Sequence, residues 1–126
     1  MNLLHKDLTD KIIRAYYNVF NTLGYGFLER PYENAMMIEL EEMGLKAVKQ
    51  HPIKVHYKGR IIGDYFADIL VENKVILELK ATIELHPKHE IQLRNYLKAT
   101  DIEVGLLLNF GKEAEFSRKI FENRFK

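Results

Sequence analysis

A chain of 126 residues has room for one ordinary domain built on one core. Hydrophobic residues make up 47% of it and charged residues 29%, enough apolar surface to offset chain entropy, which excludes a long disordered tail or linker. With 19 Lys and Arg against 18 Asp and Glu the net charge is +1, and there is no cysteine; bulk charge attracts no particular partner, and disulfides, thiolate zinc sites and a cysteine nucleophile are excluded.

The opening residues, Met1 to Asp10, reach charged positions before any apolar run of secretory length, and no later stretch approaches the roughly 20 apolar residues of a membrane span. A cytoplasmic protein with no membrane contact is the expectation. Leu8, Ile12, Ala15, Tyr16, Val19, Phe20 and Leu23 fall at helical spacing, with Thr9 or Asp10 as the N-terminal cap and Gly24 as the stop. Between Gly24 and Pro31 two glycines and a proline bracket Phe27 to Arg30. A second helix then runs from Tyr32 to Met43 and closes at Gly44 in the left-handed manner.

From Leu45 the period changes. Ala47, Val48, Ile53, Val55 and Tyr57 make a strand, and Lys58-Gly59-Arg60 turns it into a second strand from Ile61 to Val71. The tight turn Glu72-Asn73-Lys74 leads into Val75 to Lys80, whose β-branched and leucine content suits a central strand. Pro87 opens a helix through Ile91, Leu93, Tyr96, Leu97 and Ala99, and Val104 to Phe110 follows as a buried strand. A helical crossover makes Val75–Lys80 and Val104–Phe110 parallel. Residues Glu113 to Phe125 fit either an amphipathic helix or an edge strand, and no internal repeat is present. The fold class expected is α/β.

The chemistry concentrates at Asp68, Glu78 and Lys80. Alternate residues of a strand share a face, so Glu78 and Lys80 point one way and Leu77 and Leu79 the other. If the turn at Glu72 folds the preceding strand back, Asp68 comes opposite the region of Glu78, and two carboxylates and an ammonium converge. Close carboxylates repel unless a cation lies between them, and Mg²⁺ prefers hard oxygen ligands and retained waters. Lys80 would then orient or help deprotonate a water and offset charge on a phosphate. On residue chemistry alone, an ordinary ion pair on a half-exposed strand explains the same residues, although charges interrupting an apolar strand are costly without a reason.

Asp68, nine intervening residues and Glu78-Leu-Lys80 resemble the signature of the PD-(D/E)XK nuclease superfamily, and the αβββαβ order resembles its restriction-endonuclease-like core. Ala67 stands where the superfamily name has Pro. Gly26-Phe-Leu-Glu29-Arg-Pro-Tyr32 and the following Glu33-Asn34-Ala35 resemble the motif of the GxxExxY family, a bacterial and archaeal group of that superfamily. With Gln92 to Ala99 and Leu108 to Gly111, the resemblance spans Leu23 to Gly111.

The resemblance implies a single domain, a mixed sheet flanked by helices, and hydrolysis of DNA, or of RNA, with Mg²⁺ or Mn²⁺. Asp68 and Glu78 would bind metal, Lys80 would assist the water, and Glu29 would be an extra acid on the first core helix. Gln92 would contact the site. A homodimer and an unknown protein partner are further expectations, and a non-catalytic binding or regulatory module that kept the fold is the alternative.

Other residues carry plainer readings. Glu29 suits a helix start by the macrodipole, and Tyr32 reads as a packed aromatic with a bonded hydroxyl. His89 reads as an exposed helix histidine, Asp64 as a turn or solvated acid, and Glu84 and His86 as loop residues. Lys54, His56, Lys58, Arg60, Lys88, Arg94 and Lys98 either hold phosphates or are scattered solvated charges. No aromatic stacking strip or helix-turn-helix signal accompanies them, so recognition of backbone or shape is expected.

Overall fold

The computed structural model describes residues 3–126, so Met1 and Asn2 of the opening stretch lie outside the described residues. Two helices, α1 (Lys6–Leu23) and α2 (Glu29–Glu42), precede three strands, β1 (Ala47–Tyr57), β2 (Arg60–Val71) and β3 (Val75–Lys80). Helix α3 (Pro87–Lys98) crosses over to β4 (Val104–Phe110), and β5 (Ala114–Ile120) and a short 3₁₀ turn (Asn123–Phe125) complete the chain. The sheet order is β1-β2-β3-β4-β5. Only β3 and β4 run parallel, as a helical crossover requires, and the other pairs are antiparallel. Among the described residues no helix is long and apolar enough to cross a membrane.

Two local expectations are corrected and one open choice is resolved. Helix α1 begins before Thr9 and Asp10, which lie inside it: the Thr9 hydroxyl donates to the Lys6 carbonyl at 3.1 Å, and Asp10 pairs with Lys6 at 2.6 Å. The residue before the helix is His5, with φ 55° and no side-chain cap. Helix α2 starts at Glu29, ahead of Tyr32, because Pro31 fits a first turn where its missing N–H has no partner to lose. The open choice over Glu113–Phe125 resolves mainly as a strand. The outer edge of the fully buried β4 needs hydrogen-bond partners, and β5 supplies them in register from Val104↔Ile120 to Phe110↔Ala114. Tyr16 fastens the pair, donating to the Asn109 carbonyl and accepting from the Glu115 amide at 2.9 Å.

The pleat divides the core. Helices α1 and α2 cover the face carrying Ile69, Val71, Leu77, Leu79, Leu106 and Leu108, with the Tyr32 ring stacked on Phe110 at 4.1 Å. Helix α3 covers Leu70, Ile76 and Leu107 with Leu93, Tyr96 and Leu97. Each such buried aliphatic side chain contributes about 1.5–3 kcal/mol. Gly105 allows this approach, since a Cβ there would meet the Leu93 side chain at 2.7 Å. By alternation, Asp68, Glu78 and Lys80 fall on the α3 face.

Strand lengths are unequal. β1 and β2 pair from Ala47↔Val71 to Tyr57↔Arg60 through a left-handed Lys58-Gly59 turn. The ladder between β2 and β3 holds only Ile69↔Leu77, Leu70↔Ile76 and Val71↔Val75. Beyond Asp68 the hairpin therefore stands past β3 as a two-stranded arm.

Candidate active site

Asp68 occupies the point where β2 leaves β3. Its carboxylate accepts from the Leu79 amide at 2.7 Å, and the Glu78 carboxylate accepts from the Asp68 amide at 3.3 Å. Each acid thus satisfies a backbone donor that the shortened ladder leaves open. Glu78 is only 5% exposed, while Asp68 and Lys80 are half-buried.

Electrostatics follow from this crowding. Burial first, then the charge of Asp68, pushes Glu78 up to about 9, with the Lys80 ammonium pulling the other way. Asp68 is also raised, chiefly by burial; its bonds to Leu79 and Glu78 and the charge of Lys80 oppose the shift, and Glu29 adds to it. The structure therefore brings together Asp68, Glu78 and Lys80, with Glu29 within electrostatic reach.

Glu29 is held there by the loop before it. The Tyr32 hydroxyl donates to the Gly24 carbonyl at 2.7 Å and accepts from the Phe27 amide at 3.3 Å, while Gly26 takes φ +116°. Tyr32 is buried and bonded, the packed aromatic expected of it. Its hydroxyl ties a loop whose glycine permits the turn, and the exposed Glu29 emerges at the first residue of α2.

Gln92 does not hydrogen-bond either carboxylate. Its amide donates to the Tyr96 hydroxyl at 3.1 Å. Tyr96 is pushed up to about 12, by burial first and then by the charges of Glu78 and Asp68. His89 is half-buried rather than exposed. Its Nδ1 accepts from the His86 amide at 3.2 Å, while His86 accepts from Lys88, so both histidines cap α3. Asp64 pairs with Lys54 at 2.9 Å on the exposed arm, Lys58 lies over the Tyr57 ring and Arg94 over Phe121.

Glu33 belongs to the same neighbourhood and was not expected there. Half-buried one turn after Glu29, it is raised by burial and then by the charge of Asp68, and it accepts from the Gln50 side chain at 3.1 Å. Gln50 has φ +53° inside β1, between Lys49 opposite Ile69 and His51 opposite Ala67, hence across from Asp68. The i, i+4 spacing of Glu29 and Glu33 is the signal that finds it.

The donor set fits a hard divalent cation. Asp68 and Glu78 offer carboxylate oxygens, and the cost of ionising both is what a cation would remove. Among the described residues no group of three His, Cys, Asp or Glu side chains is close enough to cage a metal. Water and substrate would therefore fill the rest of the shell, as Mg²⁺ accepts readily.

A sequence model of the PD-(D/E)XK nuclease superfamily matches residues 6–120. The crystal structure of SSO0001 superposes with a TM-score of 0.56 at 15% identity, covering 72% of this chain and 50% of that one. The alkaline exonuclease LHK-Exo from Laribacter hongkongensis gives 0.55 at 12% identity, covering 77% of this chain and 57% of that one. The chain thus spans little more than half the length of these two structures, and the likeness is one of fold. No curated protein matches the chain.

Proposed function

The chain belongs to the PD-(D/E)XK nuclease superfamily, and from that premise we propose that it hydrolyses phosphodiester bonds of nucleic acid, DNA in the first place, with Mg²⁺ or Mn²⁺ held by Asp68 and Glu78. Within the superfamily we assign it to the GxxExxY group, on the loop that Gly26 and Tyr32 shape around Glu29.

The observation that carries the reading is the reciprocal anchoring of Asp68 and Glu78 on each other's strands beside Lys80. A bound divalent cation supplies Lewis-acid polarisation and neutralises charge on the scissile phosphate. Asp68 and Glu78 would hold that cation, since backbone donors already orient both carboxylates. Lys80, two residues along the strand from Glu78, orients the attacking water and offsets negative charge growing on the phosphate. Glu29 and Glu33 add negative potential from α2, which favours a cation.

The test is cleavage of labelled single-stranded, duplex, flapped and branched DNA, and of RNA, in Mg²⁺ or Mn²⁺. Wild type is compared with Asp68→Asn and Lys80→Met, each verified as folded by circular dichroism. Metal-dependent cutting reduced about 100-fold or more in both variants is expected. Wild type that neither cuts nor takes up Mn²⁺ would sink the reading and leave a non-catalytic module.

A further inference from the structure

Between the β1–β2 arm and α3 lies a groove of about 750 Å³, open to solvent. His56 and Tyr65 of the arm form one wall, and Lys88, Gln92, Tyr96 and Lys98 of α3 form the other. We propose that this groove takes a single-stranded stretch of nucleic acid, with Tyr65 as the platform for an unpaired base and Lys88 and Lys98 on its phosphates.

Four observations carry this. No carboxylate lines the groove among the described residues, although acids make up nearly half the charged positions of the chain. The lining therefore combines two lysines and neutral hydrogen-bonding groups, which suit a phosphate backbone, with apolar surface from Val55, Ile91 and Ala99, which suits bases. Tyr65 is 46% exposed, and its ring sits 5.7 Å from that of Tyr96 at 42°, so the neighbour braces it while leaving ring surface free. An exposed, braced aromatic beside lysines is the combination that binds unpaired bases without regard to sequence.

The groove is also of ligand-pocket size, with room for a few unstacked nucleotides. Tyr96, which accepts from Gln92 within the groove wall, is near enough to Glu78 and Asp68 for their charges to raise its hydroxyl. Two lysines of the arm are engaged elsewhere, Lys54 with Asp64 and Lys58 on Tyr57. The inference deepens the nuclease reading and rests on it only for the fate of the bound strand, since binding itself needs no cleavage.

Fluorescence anisotropy in EDTA separates the two. The probes are a short labelled oligothymidylate, an oligouridylate of the same length and the corresponding blunt duplex. Either single strand should bind more tightly than the duplex. Tyr65→Ala should weaken it by roughly 5- to 150-fold, the measured range for loss of one base–aromatic stack, and Tyr65→Phe should restore it. Lys98→Ala should weaken binding and flatten its salt dependence, whereas Lys11→Ala on α1 should do neither. A blunt duplex that binds as tightly as the single strands, or a folded Tyr65→Ala protein that binds like wild type, would overturn the proposal. Single-strand binding by a protein that neither cuts nor takes up Mn²⁺ would uphold the groove and sink the nuclease reading.

Discussion

The side chain of Asn109 grips both polar groups of the Thr82 backbone, accepting from its amide and donating to its carbonyl, each at 3.0 Å. Asn109 is fully buried in β4 and lies beside Lys80 in the parallel ladder. The chain leaving β3 immediately after Lys80 is thereby fixed to the neighbouring strand. Asn109→Ala strands both Thr82 groups and should cost about 1–3 kcal/mol in urea unfolding. Gly111→Ala should also destabilise, because its Cβ would fall 2.3 Å from the Thr82 carbonyl oxygen, a backbone atom that cannot swing aside.

Glu78 makes metal-free stability fall with rising pH. Its value is about 9 in the folded protein against an ordinary 4.5, so the protonated acid favours the native state. That contribution is complete below the ordinary value and is lost as pH climbs through about 9. Asp68 and Glu33, both raised, act with the same sign. His89, lowered chiefly by burial, acts oppositely, but only near and below its ordinary 6.5. Thermal melts in EDTA from pH 7 to 9 should therefore show a falling Tm in wild type and a flatter profile in Glu78→Gln.

A divalent cation should reverse that trend by displacing the Glu78 proton. Mn²⁺ titrations in buffers of different ionisation enthalpy should show about one proton released at neutral pH. Affinity should then rise roughly tenfold per pH unit until Glu78 is ionised without metal. Asp68→Asn should abolish both the uptake and the proton release.

Tyr32→Phe keeps the stack on Phe110 and removes only the hydroxyl that ties Gly24 to Phe27. A loss of about 0.5–1.5 kcal/mol is expected from urea unfolding. Mn²⁺ affinity should stay within about twofold of wild type, because Asp68 and Glu78 are oriented by β2 and β3 rather than by this loop. A large drop in affinity would show that Glu29 contributes directly to holding the cation.

The convergence of Asp68 on Glu78 was legible because it depends on local facts, alternation along a strand and a three-residue turn that folds one strand onto the next. The mixed sheet followed equally well from a helical crossover between two apolar strands. What escaped depends on contacts distant in sequence. The start of α1 has no side-chain cap to announce it. The state of Glu113–Phe125 was set by the free edge of β4, not by its own pattern. Tyr65 and Tyr96 form no strip along the chain and meet only because α3 packs against the hairpin.

The short ladder between β2 and β3 gives the two ends of β2 different stiffness. From Ile69 to Val71 the strand is locked between neighbours, whereas from Arg60 to Ala67 it belongs to a ribbon of two strands, which twists far more readily. The groove therefore resembles a vice with one sprung jaw. Tyr65 rides on the two-stranded end and Asp68 sits where the third strand begins, so the groove wall and the carboxylates belong to differently supported parts of β2.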